Sequence, residues 1–361
     1  MKILFAGGGT AGHVEPALAV ARKWSERNPS DEIFFIGTES GLENTLVPSA
    51  GFPLHHIPKV SIARKLSPSL LKVPFQLFSA IRKSATLLKD VGCAIGFGGY
   101  VSAPLYCAAF LTRTPFVIHE QNARPGWANR VGALLTPYLA VSYSVTYGAL
   151  AKAELTGLPL RADVLSALTN SQQDWKGARA AARKSLSLRY NFDPTKPLIF
   201  IFGGSQGSVA INTVIEQARP ILEAHGAVVL HGVGKANPLP ASSKSYIPLN
   251  YIDDMANFYL AADLLISRSG AVTCAEAAAL ARYSLFIPLP IGNGEQALNA
   301  SSLVKAGRAE LLEQFKFNTA WIQSNIARLL SISADQSVIG DASTAGAADK
   351  IAEIIERAIE A

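Results

Sequence analysis

His13 stands directly behind a glycine-rich turn, Gly7-Gly8-Gly9-Thr10-Ala11-Gly12, which follows a short apolar run at residues 2–5. An imidazole in that place sits where a helix N-terminus meets its ligand. Its unperturbed pKa of about 6.5 suits it to take a proton near neutrality. A second group of chemistry-bearing residues lies in 267–300. There an apolar run stops at Ser267-Arg268-Ser269-Gly270, a helical stretch carries one carboxylate, Glu276, and a Gly-rich loop delivers Gln296 and Asn299. Backbone N–H groups at a helix start hold phosphate. A carboxylate accepts ribose hydroxyls, and two amides read further sugar hydroxyls. The set suits a phosphorylated sugar.

Strand, glycine loop and helix in succession are the parts of a doubly wound α/β domain, in which ligands sit at the C-terminal ends of strands. The chain shows this plan twice. In the first half, residues 2–5, 32–36, 92–97 and 115–118 read as strands. The third runs into Gly98-Gly99-Tyr100-Val101-Ser102 and the fourth into His119-Glu120-Gln121-Asn122. Four polar residues at a strand end are expected to line a cleft. Residues 198–202 restart the pattern and lead into Gly203-Gly204-Ser205-Gln206-Gly207-Ser208. Asp253 and Asp254 open a short helix that they are suited to cap.

Between the halves, residues 161–197 lose apolar density apart from an Ala-rich helix near 175–188. The expected division is 1–160, a linker and start of the second domain at 161–197, the second domain proper at 198–340, and a terminal helix at 341–361. That helix carries Ile351, Ile354, Ile355, Ala358 and Ile359 at helical spacing, so it must dock, with the first domain as candidate.

At 361 residues two domains are favoured over one core. No apolar run reaches the roughly 18 residues of a spanning helix, and the N-terminus enters a strand with no signal-peptide pattern. Three scattered cysteines without a CxxC point to a reducing cytosol and no Cys-based metal site. The net charge of +6 is uneven. Lys59, Arg64, Lys65, Lys72, Arg82, Lys83 and Lys89 precede the next acid, Asp90, with Leu66, Leu70, Leu71, Phe75, Leu77, Phe78 and Ile81 between them. Basic residues interleaved with large apolar ones suit an anionic membrane surface. No nucleic-acid module appears, so nucleic acid is not an expected partner. Gly7, Gly9 and Gly12 also satisfy G-x-G-x-x-G, with Glu39 after the following strand, so a nicotinamide or flavin enzyme is a second reading. His55, His56, His225 and His231 read as core or edge residues.

Taken in order, GGTAGHVEPALAVA, GFGGYVSAP, HEQNARPGWANR, GGSQGSVAIN, YIDDM, SRSGAVTCAE and the pair Gln296 and Asn299 resemble the MurG family, over residues 2–314. Those are UDP-N-acetylglucosamine:lipid I N-acetylglucosaminyltransferases. The resemblance implies an α/β GT-B fold, with two Rossmann-like domains facing across a cleft, and no cofactor or protein-bound metal. It implies a place for His13 near the muramyl sugar, where its pKa makes it the expected catalytic base. It implies donor contacts from Thr10, Ala11, Gly12, Arg161, Ser205, Gln206, Ile252, Ser269, Gly270, Ala271, Glu276, Gln296 and Asn299. The acceptor, lipid I (undecaprenyl-pyrophosphoryl-MurNAc-pentapeptide), would meet Gly8, Gly9, Gly98, Gly99, Tyr100, Asn122 and Asn129. The chain departs from the family pattern at Ala11, Leu158 and Glu295.

Overall fold

The computed structural model describes residues 1–60, 73–335 and 339–361. The chain divides into two compact units, Met1–Arg161 with Ser343–Ala361, and Ala162–Ala342. Each is a parallel sheet with helices between its strands.

In the first unit the strands are β1 (Lys2–Ala6), β2 (Glu32–Gly37), β3 (Leu54–His56), β4 (Val91–Gly96), β5 (Phe116–Glu120), β6 (Leu139–Val141) and β7 (Glu154–Leu155). They lie in the order β3-β2-β1-β4-β5-β6-β7. The helices are α1 (Ala11–Arg27), α2 (Glu43–Ser49), α3 (Val73–Leu87), α4 (Ser102–Thr112) and α5 (Trp127–Gly132). Both sheet faces are covered, which is why the strands are near-continuous apolar runs. Ile3 and Phe5 face one core with Trp24 and Phe35, while Leu4 and Ala6 face another with Leu105 and Tyr106. Strand order reverses between β1 and β4, so the loops after these two strands open side by side.

The second unit repeats the plan. Its strands are β8 (Leu198–Phe202), β9 (Val228–Gly232), β10 (Tyr246–Leu249), β11 (Leu264–Ser267), β12 (Tyr283–Phe286) and β13 (Ala309–Leu311). The order β10-β9-β8-β11-β12-β13 places its reversal between β8 and β11. Helices α6 (Ala162–Tyr190), α7 (Val209–Ala224), α8 (Met255–Ala261), α9 (Ala271–Ala279), α10 (Glu295–Asn299), α11 (Ser301–Lys305) and α12 (Thr319–Asp335) complete it. Much of the segment expected as a linker is therefore helix. α6 packs against α8 within this unit, and its backbone breaks at Asp174 (φ −146°, ψ 86°). As expected, Asp254 caps α8, accepting the Asn257 N–H at 3.4 Å.

The last helix, α13 (Ala347–Glu360), belongs to the first unit, where it packs on α1, β4 and β5. Ile351, Ala352, Ile354, Ile355 and Ala358 are buried there beside Val20, Trp24 and Cys93. Arg27 of α1 pairs with Glu356 at 3.5 Å, an exposed contact of small energetic weight. The apolar face carries the docking. Ile355→Ala is expected to destabilise the protein by roughly 2–5 kcal/mol, read from the denaturation midpoint. An unchanged midpoint would mean that α13 rests on the unit without stabilising it.

Candidate active site

Helix α1 starts directly in the loop after β1. Thr10 is the N-cap residue, and Ala11, Gly12 and His13 form the first turn. Ala11 thus has helical backbone geometry, which a Cβ tolerates. His13 is half-buried, and its Nδ1 lies 3.2 Å from Thr10 Oγ1. Burial pulls the imidazole pKa below its usual value, with the Glu43 carboxylate pulling the other way. The ring is therefore mostly neutral at pH 7 and able to accept a proton.

The loop after β4 closes on this turn. A Cβ on Gly99, at φ +84°, would lie 2.7 Å from the Gly8 carbonyl oxygen, so only glycine permits the approach. Gly98 faces the His13 ring and the Asn129 amide. The structure thus brings Gly8, Gly98, Gly99, His13 and Asn129 together at the switch point. Tyr100 stands outside this cluster with an exposed ring, 5.9 Å from Lys59 Nζ.

Of the four polar residues at the end of β5, His119, Glu120 and Gln121 are buried rather than lining a cleft, Asn122 is half-buried, and they bond to one another. Glu120 is 1% exposed. Its Oε1 accepts from Asn122 N–H (2.9 Å) and Nδ2 (3.2 Å), and its Oε2 from Gly126 N–H (2.9 Å) and Asn129 Nδ2 (3.0 Å). Burial still pushes the Glu120 pKa up against these four donors. Tyr106 OH donates to Asn129 Oδ1 at 2.8 Å, so both ends of that amide are engaged. The reason is local accounting. A loop entering α5 from a buried strand has backbone N–H groups to satisfy, and one carboxylate satisfies two of them. His119 Nε2 donates to Gly157 O (3.1 Å), and burial lowers its pKa to about 4. His231 is likewise buried, against Tyr246 OH (2.8 Å) and Asn212 Oδ1 (3.1 Å), whereas His225 is exposed at the end of α7.

Arg161 ends the first unit, and its Nη1 lies 3.9 Å from Glu15 of α1.

In the second unit the loops after β8 and β11 are tied by Arg268, a residue to which sequence reasoning assigned no role. Its guanidinium donates to Ser208 Oγ (2.8 Å), Ile287 O (3.0 Å), Pro288 O (3.0 Å) and Gln314 Oε1 (2.6 Å). Ser208 in turn caps α7 through the Ile211 N–H. Only its place in the quoted Ser-Arg-Ser-Gly turn hinted at Arg268. Ser205 is half-buried and Gln206 exposed on the β8 loop. Gly270 is the extended N-cap residue of α9, with Ala271 its first residue. Ser269 Oγ is buried with no hydrogen-bond partner among the described residues. Asn299 Nδ2 donates to Ser269 O at 3.3 Å, joining α10 to this turn. Gln296 Oε1 accepts the Leu289 N–H at 3.0 Å. Ile252 packs over Gly232 at the end of β9. Glu276 is 1% exposed, so its carboxylate lies beneath the surface of the site rather than open on it.

Two parallel sheets of this order, each with a glycine loop at its reversal, make up the two Rossmann-like domains of a GT-B fold. Residues 3–136 match the Glycosyltransferase family 28 N-terminal domain and residues 198–357 its C-terminal domain. The UDP-N-acetylglucosamine–N-acetylmuramyl-(pentapeptide) pyrophosphoryl-undecaprenol N-acetylglucosamine transferase of Corynebacterium glutamicum (strain R) is 43% identical, with 100% of this chain and 99% of that protein covered. Its Streptomyces coelicolor counterpart is 40% identical over 92% of this chain and 90% of its own. A crystal structure of the MurG of Acinetobacter baumannii superposes with a TM-score of 0.68 at 26% identity, covering 99% of both chains. The chain belongs to the MurG family and is a hexosyltransferase. The nicotinamide reading falls with that membership. Glu39 is exposed, and the Gly9 N–H, which a dinucleotide would need, is taken by Glu43 Oε2 at 2.8 Å.

Proposed function

We propose that this enzyme moves GlcNAc from UDP-GlcNAc to the 4-hydroxyl of the muramyl sugar of lipid I, forming lipid II with inversion at the anomeric carbon. The observation that carries the reading is the switch-point cluster of the first unit. There a neutral imidazole, steadied at Nδ1 by Thr10, faces the Gly98 loop with Nε2 left to act. The acceptor hydroxyl attacks C1, its proton passes to His13 Nε2, and the C1–O bond breaks with its electron pair leaving on UDP.

In the second unit, Ser205, Gln206 and the α9 turn at Ser269, Gly270 and Ala271 would hold the donor diphosphate. The partnerless Ser269 hydroxyl supports this, since a buried hydroxyl without a hydrogen bond is costly unless a ligand completes it. Glu276 would take the ribose hydroxyls, Ile252 the uracil, and Gln296 and Asn299 the sugar. Arg161 and residues 10–12 would add contacts to the departing diphosphate, where a fixed positive charge stabilises the leaving group. Gly8, Gly98 and Gly99 would approach the acceptor pyrophosphate by backbone. Gly9 is excluded as an open donor by its bond to Glu43. Asn129 serves through Tyr106 and Glu120 rather than by reading the acceptor itself, while Asn122 and the exposed Tyr100 flank it.

Mixing the protein with UDP-GlcNAc and a short-chain lipid I analogue should release UDP only when the acceptor is present. Donor binding without acceptor-dependent release would favour another glycolipid acceptor.

Contact with an anionic membrane is the second part of the reading. Among the described residues no helix is long and apolar enough to cross a membrane. Helix α3 turns Val73, Leu77 and Ile81 to the core, while Phe75 (78% exposed), Phe78 (68%) and Arg82 face outward at positions i, i+3 and i+7. Arg64, Lys65 and Lys72 of the basic segment lie outside the described residues. Phe75→Ser with Phe78→Ser should reduce co-sedimentation with anionic vesicles several-fold and leave turnover of a soluble acceptor unchanged. Equal loss of both would point to misfolding.

A further inference from the structure

We propose that Glu43, a residue outside every motif above, is a positioning residue for the transfer: it fixes the loop that carries His13 without touching either substrate. The inference rests on the reading of His13 under Proposed function.

Glu43 opens α2 yet turns its side chain back into the switch point of the first unit, where it is 0% exposed. Oε2 accepts the Gly9 N–H at 2.8 Å, and Oε1 accepts the Thr38 N–H at 3.1 Å. The Thr38 hydroxyl shares its one proton between Glu43 Oε1 (3.2 Å) and Ser40 O (2.8 Å). One carboxylate thereby joins the loop after β1 to the loop after β2, across a sequence separation of 34 from Gly9. The slot is walled by glycines. A Cβ on Gly37 would lie 2.6 Å from Glu43 Cγ, and one on Gly8 3.1 Å from Oε1. Larger residues at either place would evict the carboxylate.

No lysine or arginine pairs with Glu43 among the described residues. The carboxylate is held instead by the Gly9 and Thr38 N–H groups and the Thr38 hydroxyl, so that both of its oxygens must accept. What the charge acts on is the neighbouring imidazole. The Thr10 hydroxyl lies 3.2 Å from the ring and the Gly98 backbone packs beside it, and neither titrates near neutrality. Glu43 supplies the field that opposes the effect of burial. Its placement thus holds both the shape of residues 7–13 and the basicity of the ring they present.

The test compares wild type with Glu43→Gln and Glu43→Asp, using UDP-GlcNAc and the soluble lipid I analogue. Glu43→Gln removes the charge and turns an amide NH2 toward one of the two backbone N–H groups that the carboxylate accepts. It should lower kcat by roughly 10- to 100-fold, the scale of a misplaced catalytic group, with the KM for UDP-GlcNAc changed less than threefold. The acid limb of its kcat/KM profile should move to lower pH. NMR titration of His13 should show the same downward shift without turnover, a readout that a purely structural role would leave in place. Glu43→Asp keeps the charge but shortens the reach to Gly9. It should lose kcat while holding the acid limb near the wild-type position, and it decides the matter if the Gln variant fails to fold. Wild-type kcat in either folded variant, or an unmoved His13 titration in Glu43→Gln, overturns the proposal while leaving the transferase reading intact. A wild-type protein without acceptor-dependent UDP release overturns that reading first.

Discussion

Replacing His13 by alanine is expected to lower kcat about 10²- to 10⁴-fold, the range that a positioned general base supplies. The KM for UDP-GlcNAc should change little, because the ring acts on the acceptor hydroxyl. The pH profile is the sharper check. Burial holds the His13 pKa below its ordinary value of 6.5. In the wild type kcat/KM should therefore be full at neutral pH and fall only as pH drops through that lowered value, where the imidazole becomes protonated. The alanine variant should lack this limb. Near-normal turnover at saturating substrate would show that orientation alone drives the reaction and that the proton leaves to another acceptor.

Glu276→Ala should act on the other substrate. A charged acceptor meeting two hydroxyls contributes about 1.5–3 kcal/mol per hydrogen bond. At 1.4 kcal/mol for each factor of ten, losing both should raise the KM for UDP-GlcNAc roughly 10²- to 10⁴-fold. The KM for the lipid acceptor should stay within about twofold. Glu276 is buried, so the variant also leaves a small void, and a denaturation curve must accompany the kinetics. An equal rise in both constants would remove the ribose role and leave Glu276 as a residue that merely supports α9.

Much of this enzyme was legible along the chain. Apolar runs ending in glycine turns marked β1, β4, β8 and β11, because strands buried on both faces must be apolar and the turns after them must let the backbone approach a ligand. The spacing of Ile351, Ile354, Ile355 and Ala358 disclosed one docking face on α13, since helical period alone sets which residues share a side. His13 was visible because its partner loop is its sequence neighbour. The chain order of residues did not disclose how polar groups would be satisfied. His119, Glu120 and Gln121 read as cleft-lining residues, yet they are buried, because the backbone N–H groups that Glu120 serves become its neighbours only when α5 folds back on β5. Glu39 fitted a nucleotide-binding pattern and stayed in solvent, while Glu43, four residues later, reached the Gly9 loop. Arg268 likewise gained its partners from three separate strand ends. Hydrophobic patterning and glycine placement are local properties, fixed by period and by backbone sterics. The partner of a buried charge is set by which loops the sheet order makes adjacent, and that adjacency exists only in the folded chain.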